Sequence, residues 1–440
     1  MKVVILAGGR GKRLGRPDIP KPMVELSGTP LLEKLIKQLV SFGIFDLYIT
    51  VGYKRHIIEN YFGDGTEFNC KVTYLCEESP LGTAGSVIKN KHIFDEPFLV
   101  VYGDLLLDIN WKNFVEIGKN NGGLATLFCH PNSHPFDSDL LNVDENSKII
   151  EIYRKPHNDL AALPNLSNAA IYYLDPDILT YFDTRNLDWA HDIFPALLSK
   201  GNIYAYNSLE YACDVGTPER LAKGEEHVKL NLPQKLRKCK SKPVVFLDRD
   251  GVINKEIGGV LEPKEIKIYP GVAKAIKRLN NLHIPVLCIT NQPLIAKGKI
   301  TERQLIKINN RISSLLAQET GAFINDWFYC PHHPERGWPG EIECLKILCE
   351  CRKPKPGLFL AASHQHGINL NRSFMVGDRY CDIEAANLAG VKSILVATGH
   401  SGIDKDKFPD TVPDYEVKTL LEAVDLLENS IDYYTNTFSN

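Results

Sequence analysis

Short runs of valine, isoleucine and leucine recur along this chain, and a stretch with helical spacing follows most of them. The runs are KVVILAG, DLYITVG, PFLVVYGD and GLATLFC in the first half, then PVVFLDRDG, IPVLCITNQ and RSFMVGDR in the second. Strands that alternate with helices predict α/β sheets that are largely parallel and joined by right-handed crossovers. Because the pattern runs and then restarts, we expect two domains, in keeping with a length of 440 residues.

The restart follows residues 230–243, LNLPQKLRKCKSKP, a basic segment with two prolines and few large apolar residues. We interpret this segment as a linker, and a basic strip that binds a partner is the weaker alternative. The predicted domains are therefore residues 1–229 and 244–430. Residues 431–440 form a polar tail that we expect to fray.

The composition excludes several classes of protein. A formal net charge of −3 gives no reason to expect binding to nucleic acid or to an anionic membrane surface. The N-terminal run MKVVILAGG is unlike a signal peptide, and no run reaches the roughly 18 apolar residues of a membrane span. We therefore expect a cytoplasmic protein with small-molecule partners, and a homo-oligomer is compatible with the sequence. Eleven cysteines, an odd number, argue against a disulfide framework and leave some available for metal.

The glycine-rich loop LAGGRGKRLG follows the first predicted strand. Glycines let the backbone approach a ligand closely and direct amide N–H groups at phosphate. This is not a Walker A loop, because Leu6 stands where the first glycine of that motif would be. A tight turn without a ligand is the alternative. The predicted nucleotide-binding residues of the loop are Leu6, Ala7, Gly8, Gly9 and Gly11.

Three residues downstream strengthen the prediction of a nucleotide site. Lys21 lies between two prolines that stiffen the chain, and a rigid cation suits a triphosphate. Asp104, in FLVVYGD, and Asp214, in YACDVGTPE, are carboxylates at predicted strand ends close to a glycine. Two such carboxylates can hold Mg²⁺ between a nucleotide phosphate and an attacking phosphate. Either aspartate alone is as often a turn or cap residue.

Across residues 1–225, the motifs LAGGRGKRL, PKPM, EESPLGTAG, YGD, RKP and DVGTPE resemble those of the sugar-1-phosphate nucleotidyltransferases, close to the mannose-1-phosphate guanylyltransferase branch. The resemblance implies a Rossmann-like, GT-A-like domain in which a sugar 1-phosphate oxygen attacks the α-phosphorus of a nucleoside triphosphate and pyrophosphate leaves. It implies that Arg13 and Lys21 stabilise the charged transition state, and that Asp104 and Asp214 hold Mg²⁺.

The same resemblance implies that Gly82 receives the base and that Lys155 and Asn168 contact the sugar phosphate. Two positions depart from the family pattern. The family usually carries glutamate where this chain has Arg154, and glycine where it has Ala170. The departures leave the identity of the acceptor sugar open.

The stretch FLDRDGVIN begins the second series of strands. Asp248 and Asp250 are two residues apart at a predicted strand end, so both carboxylates face one side if the strand continues. One can attack phosphorus while the other transfers a proton, a division that Mg²⁺ would support, and a charged turn is the alternative. Residues suited to phosphoryl oxygens or to metal follow at later strand ends: Thr290, Asn291, Lys353, Asp378 and Asp382.

A metal-ligand pattern lies between these strand ends. Cys330 and His332 are followed, after sixteen residues, by Cys349 and Cys351. Three thiolates and an imidazole suit a closed tetrahedral Zn²⁺ site, with His333 as an alternative ligand and ordinary buried cysteines as the alternative interpretation. Such a site would fix the loop before the predicted phosphate-binding lysine, so loss of zinc should disorder the phosphate site.

These motifs, in this order, resemble the haloacid-dehalogenase superfamily of phosphatases, which form an aspartyl-phosphate intermediate. With the cysteines and CRKPKPG, residues 244–400 resemble the heptose-bisphosphate phosphatases, and histidinol-phosphate phosphatases are near relatives. The resemblance implies Asp248 as nucleophile, Asp250 as general acid and base, and Asp378 as a Mg²⁺ ligand together with both. Relatives usually carry Ser-Gly where this chain has Pro293 and Leu294, which leaves the shape of the substrate entrance open. The implied substrate-binding residues are Thr290, Asn291, Arg352, Lys353 and Arg379.

The predicted fold class is therefore α/β, with two doubly wound domains that each use Mg²⁺. A phosphatase acting on D-glycero-D-manno-heptose 1,7-bisphosphate would supply the sugar 1-phosphate that the first domain activates, with GTP as the implied nucleotide and GDP-heptose as the product. Two alternatives stay open. A mannose-type nucleotidyltransferase is fused to a phosphatase for an unrelated substrate such as histidinol phosphate, or one domain is a non-catalytic regulatory module.

Overall fold

The computed structural model describes residues 1–9, 14–157, 162–183, 186–238 and 241–435, with side chains up to residue 428. The chain forms two compact units. The first comprises Met1–His130, Leu141–Ile152 and Asn168–Cys239, and the second comprises Pro131–Leu140, Tyr153–Ser167 and Lys240–Asn440. Strands alternate with helices in both halves of the chain, which confirms the predicted α/β class.

The first half of the chain contains thirteen strands and seven α-helices among the described residues. The strands are β1 (Lys2–Leu6), β2 (Glu25–Leu26), β3 (Thr29–Pro30), β4 (Asp46–Val51), β5 (Lys71–Cys76), β6 (Phe98–Tyr102), β7 (Leu105–Asp108), β8 (Ala125–His130), β9 (Leu140–Val143), β10 (Ile149–Tyr153), β11 (Ser167–Leu174), β12 (Ile203–Asn207) and β13 (Tyr211–Asp214). The helices are α1 (Leu31–Ser41), α2 (Arg55–Phe62), α3 (Gly82–Lys89), α4 (Trp111–Asn121), α5 (Phe194–Leu197), α6 (Pro218–Lys229) and α7 (Leu232–Leu236).

Nine of these strands form one mixed sheet. Seven follow the order β10-β9-β11-β6-β1-β4-β5, and β8 joins β11 to β12. β1 is parallel to β4 and to β6, with Ile5 opposite Ile49 and Val101, whereas β11 is antiparallel to β6. The three central residues of β1 are fully buried, which explains why this strand is an unbroken apolar run rather than an alternating one.

A separate antiparallel pair, β7 and β13, places Asp214 opposite Leu105. Because Asp104 directly precedes β7, this pairing brings the two aspartates predicted for the nucleotide site close to each other. Neither strand would show this contact by its own periodicity, since it depends on the register between segments far apart in the chain.

Residues 230–243 differ from the linker that their composition suggests. Within this segment Leu232–Leu236 form α7, and the two leucines of this helix pack in an apolar cluster that includes Leu106. Arg237 forms an ion pair with the buried carboxylate of Asp108. The leucines of α7 are four residues apart, so they lie on one apolar face of the helix, although the composition of the whole segment is basic.

The second half of the chain contains one six-stranded sheet in the order β16-β15-β14-β17-β18-β19, and every pair is parallel. The carboxyl ends of all six strands therefore lie at one edge. The strands are β14 (Val245–Leu247), β15 (Val286–Asn291), β16 (Asp326–Cys330), β17 (Phe374–Gly377), β18 (Lys392–Val396) and β19 (Tyr415–Val417). The helices are α8 (Val272–Asn281), α9 (Pro293–Ala296), α10 (Glu302–Thr320), α11 (Gly357–His366), α12 (Tyr380–Leu388) and α13 (Leu420–Thr435).

The longest helix of this half, α10, has strong end signals. Thr301 and Gln304 form a reciprocal capping box at its start, and Gly321, with a φ of 70°, ends it. The last helix, α13, extends to Thr435 and so includes part of the segment expected to be a frayed tail. Residues 436–440 lie outside the described part of the chain. Among the described residues, no helix combines the length and the apolar character needed to span a membrane.

Candidate active sites and metal centre

Lys21 lies between two aspartates in the first unit. Its Nζ donates to Asp104 Oδ2 at 2.5 Å and to Asp214 Oδ1 at 2.8 Å. The lysine lies in a 3₁₀ turn with a proline on either side, and only 8% of its surface is exposed. The structure thus brings together three residues that were predicted from separate parts of the sequence.

A second cation binds the other oxygen of Asp214. Arg220 Nη1 donates to Asp214 Oδ2 at 2.7 Å. Burial alone would raise the pKa of Asp214, but Lys21 and Arg220 lower it below its ordinary value. Asp104 and Asp214 therefore present two neighbouring carboxylates, which are the hard oxygen ligands that Mg²⁺ prefers. The donor set fits the predicted metal.

The amino-terminal part of the glycine-rich loop is held by the sheet. Leu6 ends β1, and its carbonyl oxygen accepts from Gly103 N at 3.0 Å. Ala7 N donates to the carbonyl oxygen of Thr50 at 3.2 Å. The main chain of these residues is therefore fixed at the edge where β1, β4 and β6 end.

The glycines that follow are less enclosed. A Cβ at Gly8 would lie 3.4 Å from a carboxylate oxygen of Glu77, whereas a Cβ at Gly9 would meet no described atom within 4 Å. Gly11 and Arg13, which were predicted to bind nucleotide and to stabilise the transition state, lie outside the described residues. The nucleotide contacts of this loop stay predictions.

Gly82 begins α3 in a conformation that requires glycine. Its φ is +75°, and a Cβ there would lie 2.3 Å from the carbonyl oxygen of Leu187. The two residues predicted to contact the sugar phosphate differ in setting. Asn168 is engaged locally, since its Nδ2 donates to the Tyr172 hydroxyl at 3.0 Å, whereas Lys155 is exposed on the segment Tyr153–Ser167, which groups with the second unit. Their sugar contacts, like the base contact of Gly82, stay predictions.

Three aspartates and a lysine form a buried cluster at the carboxyl edge of the second sheet. Asp248 follows β14, Asp378 follows β17 and Asp382 lies in the first turn of α12, and one carboxylate oxygen of each lies within 4.8 Å of the others. Lys353 Nζ is 2.9 Å from Asp248 Oδ1 and 2.6 Å from Asp382 Oδ1. Two of the three carboxylates thus contact the same ammonium group.

Burial and neighbouring carboxylates raise the pKa values of Asp248 and Asp378. Burial raises the pKa of Asp248 to about 6, an effect that Lys353 opposes and Asp382 reinforces. Burial and the neighbouring Asp248 raise the pKa of Asp378 to about 8. Asp378 Oδ1 is buried and has no hydrogen-bond partner among the described residues. A divalent cation would satisfy this oxygen and compensate the charge, so the cluster fits Mg²⁺.

The carboxylate of Asp250 lies apart from this group. Arg249 Nη2 donates to its Oδ2 at 2.7 Å, Gln292 Nε2 donates to the same oxygen at 2.9 Å, and Asn254 Nδ2 donates to its Oδ1 at 2.9 Å. Burial would raise the pKa of Asp250, but Arg249 and these hydrogen bonds lower it. Among the described residues, the carboxylate that groups with those of Asp248 and Asp378 is that of Asp382, whereas three donors hold the Asp250 side chain. The Mg²⁺ ligand set of Asp248, Asp250 and Asp378 stays a prediction.

The residues predicted to bind the phosphatase substrate are engaged within the protein by burial, hydrogen bonds or an ion pair. Asn291 brackets the main chain of Lys353, since its Nδ2 donates to the lysine carbonyl at 3.0 Å and its Oδ1 accepts from the lysine N–H at 3.1 Å. Thr290 is buried at the end of the same strand. Arg352 Nη1 donates to a main-chain carbonyl in the cysteine loop at 3.2 Å, and Arg379 is half-buried beside an aspartate. Their contacts with substrate stay predictions.

Cys330, His332, Cys349 and Cys351 converge as their spacing predicts. The Sγ atom of Cys351 lies 3.3 Å from that of Cys330, 3.4 Å from that of Cys349 and 3.3 Å from His332 Nδ1. A tetrahedron around zinc with Zn–S bonds of about 2.3 Å has edges of roughly 3.8 Å, so these four atoms are close to the required arrangement. His333, the alternative ligand, lies outside the group.

Four contributors to these sites had no role in the sequence analysis. Arg220 and Arg249 each bind an aspartate that was predicted, and Asn254 and Gln292 both bind Asp250. Asp382 was recognised as suited to phosphate or metal, and its spacing of four from Asp378 was the available signal. Arg249 lies between the two predicted catalytic aspartates, but strand alternation alone directs it to the opposite face and gives no partner for it.

Two family models match the chain. The nucleotidyl transferase model matches residues 2–230, which is more than half of the chain, and the HAD-hydrolase-like model matches residues 350–423. The matched ranges contain Lys21, Asp104 and Asp214 in the first case, and Lys353 and Asp378 in the second.

Curated relatives and solved structures are similar to parts of the chain. The D-glycero-beta-D-manno-heptose-1,7-bisphosphate 7-phosphatase of Escherichia coli O6:H1 (strain CFT073) is 39% identical over 162 residues, which are 37% of this chain and 83% of the relative. The protein of the same name from Vibrio cholerae serotype O1 is 41% identical over 160 residues, which are 36% of this chain and 83% of the relative. The structure of HddC from Yersinia pseudotuberculosis complexed with GMP-PN is 28% identical and aligns with 52% of this chain and 99% of that one, at a TM-score of 0.45.

Proposed function

The chain belongs to the nucleotidyl transferase family and to the family of the heptose-bisphosphate phosphatases, and on that premise we propose that it catalyses two consecutive steps in the synthesis of an activated heptose. The second unit removes the 7-phosphate of D-glycero-D-manno-heptose 1,7-bisphosphate. The first unit transfers a nucleotidyl group to the heptose 1-phosphate that remains. The observation that carries this proposal is the buried group of Asp248, Asp378 and Lys353 in a chain that also holds Lys21 between two aspartates.

In the phosphatase reaction, Asp248 is the nucleophile. An oxygen of its carboxylate attacks phosphorus, and the bond between phosphorus and the sugar oxygen breaks. Asp250 gives that oxygen a proton, which it must first take up from solvent because its donors lower its pKa. Water then attacks the aspartyl-phosphate while Asp250 accepts its proton, and the bond between Asp248 and phosphorus breaks to release phosphate. Lys353, at 2.9 Å from Asp248, balances the charge of the phosphoryl oxygens.

Two metals belong to this half of the proposal. Haloacid-dehalogenase phosphatases and nucleotidyltransferases generally use Mg²⁺, and we assign it here to Asp248 and Asp378, which would hold it where it would supply positive charge to the phosphoryl group. The three cysteines and the histidine would hold a structural Zn²⁺, and this site would fix the loop that leads directly into Arg352 and Lys353.

In the nucleotidyl transfer, an oxygen of the sugar 1-phosphate attacks the α-phosphorus of a nucleoside triphosphate, and the bond to the departing pyrophosphate breaks. Lys21, with Arg13, neutralises charge that develops on the phosphates. Asp104 and Asp214 would hold Mg²⁺, which would supply counter-charge to the triphosphate. We propose GTP as the nucleotide, GDP-heptose as the product and the cytoplasm as the location, on the sequence resemblance.

The test supplies purified protein with Mg²⁺, heptose 1,7-bisphosphate and each nucleoside triphosphate in turn, and follows phosphate, pyrophosphate and nucleotide-sugar. We expect phosphate in every reaction and a nucleotide-heptose with GTP alone. Asp248→Asn should stop phosphate release but leave pyrophosphate release from heptose 1-phosphate, and Lys21→Met should do the reverse. Phosphate release from histidinol phosphate but not from the bisphosphate would favour two unrelated activities. Insensitivity of both products to one substitution would indicate a non-catalytic domain.

A further inference from the structure

We infer that Arg249 is a positioning residue for the phosphatase reaction: anchored by Asn309 of α10, it fixes the carboxylate of Asp250. The inference rests on the proposed role of Asp250 as the group that transfers protons. It concerns two residues, Arg249 and Asn309, that lie outside the nucleophile, metal and lysine cluster.

Arg249 is completely buried, with 0% of its surface exposed. Its Nη2 donates to Asp250 Oδ2 at 2.7 Å and to Oδ1 at 3.1 Å, and its Nη1 donates to Asn309 Oδ1 at 3.2 Å. Its Nε has no hydrogen-bond partner among the described residues. A buried guanidinium that leaves one N–H unsatisfied stabilises a fold poorly, because desolvation opposes the ion pair. The arrangement is therefore better explained by the positioning of the Asp250 carboxylate than by a contribution to folding stability.

The hydrogen bonds to Asp250 leave its carboxylate little freedom to rotate. Arg249 contributes two of them, and Asn254 and Gln292 contribute one each, so both oxygens are held from more than one direction. Arg249 is the charged donor among the three, and charge-assisted bonds to a carboxylate are about twice as strong as neutral ones. It is therefore the donor whose loss should most disturb the carboxylate.

Asn309 gives this arrangement its rigidity. It lies within the 19-residue helix α10, is 6% exposed, and accepts from the guanidinium on the side away from Asp250. The helix has a capping box at its start and a glycine at its end, so Asn309 is a fixed point. Arg249 thus links the strand end that carries the catalytic aspartates to a helix in the core.

The test compares Arg249→Met, Arg249→Lys, Asn309→Ala and Asp250→Asn in the full chain. The two substrates are the heptose bisphosphate and 4-nitrophenyl phosphate, whose leaving group departs without a proton donor. For Arg249→Met we expect kcat for the bisphosphate to fall about 10²-fold with KM nearly unchanged, since proton transfer contributes at least that much. With 4-nitrophenyl phosphate, rapid mixing should show a burst of nearly one nitrophenolate per site, because the first step is spared while hydrolysis of the aspartyl-phosphate is slow.

The outcomes separate this inference from the function on which it rests. A burst for Asp250→Asn that is absent for Arg249→Met overturns the inference alone, and no burst for either overturns the role of Asp250 as well. If Arg249→Met does not fold, Arg249→Lys and Asn309→Ala must show a smaller burst, and its absence in both overturns the inference. Arg278→Met removes an arginine paired with acidic residues of α13 and should behave as wild type; a burst there would also overturn it.

Discussion

Substituting asparagine for Asp378 should make the metal-free second unit more stable near neutral pH, although it removes a residue of the site. Burial and Asp248 raise the pKa of Asp378 in the folded chain from 3.8 to about 8. The folded chain therefore binds this proton more tightly than the unfolded chain, and the free energy of unfolding falls as pH rises between the two pKa values. Below about pH 4 both states are protonated, and above about pH 8 the loss is complete.

The size of this effect follows from the shift. Each pH unit within the window costs about 1.4 kcal/mol, so Asp378 alone should lower the free energy of unfolding by about 4 kcal/mol between pH 4 and pH 7. Asp248, whose pKa is raised to about 6, adds to the slope only below that value. The interval from about pH 6 to pH 8 therefore reports Asp378, and asparagine there should give a nearly flat profile.

The assay is urea unfolding in buffer without Mg²⁺ but with zinc retained, in which a short pulse of protease quantifies the intact second unit. Wild-type stability should fall from about pH 6 to pH 8, and added Mg²⁺ should restore it most at the higher pH because the cation binds the ionised carboxylates. Asp425→Asn, which alters an exposed carboxylate paired with Arg278, should keep the wild-type slope. A wild-type profile that is flat or rises, or an Asp378→Asn profile as steep as wild type, would refute the reasoning.

Three further predictions concern separate parts of the chain. Chelating zinc in excess Mg²⁺ should abolish phosphate release and spare nucleotidyl transfer, because Cys351 lies two residues before Lys353; equal loss of both activities would count against a structural zinc. Lys21→Met should slow nucleotidyl transfer by roughly 10²- to 10³-fold in steady-state assays, the usual effect of losing a transition-state donor, and an unchanged rate would remove Lys21 from the mechanism. Leu232→Ala should lower the free energy of unfolding of the first unit by about 2–5 kcal/mol in urea, whereas no change would mean that this segment is a free linker after all.

Much of the fold was predictable because its signals are local. A parallel strand that is buried on both faces must be apolar throughout, so runs such as the one around Ile5 are visible without any tertiary information. The Cys-x-His and Cys-x-Cys pairs were equally visible, because ligands two residues apart can face one ion. The linker prediction was wrong at α7. Basic side chains dominate the composition of this segment, but two leucines determine how it packs.

The residues of the two sites were largely predictable as well, but their partners were not. Lys21 meets aspartates that are 83 and 193 residues away, and Arg249 meets an asparagine 60 residues away. Which carboxylate lies beside those of Asp248 and Asp378 was also decided only in three dimensions: it is that of Asp382, whereas other donors hold the carboxylate of Asp250.

The sequence by itself determined two α/β domains and the chemical types at their strand ends, since periodicity and short spacings act over a few residues. Tertiary structure decided which carboxylates contact one lysine, which carboxylate oxygen has no hydrogen-bond partner among the described residues, and which arginine is buried beside an aspartate. Those outcomes depend on distances of a few ångströms across the folded chain and on the low dielectric around them, and neither quantity is set until distant strands have paired.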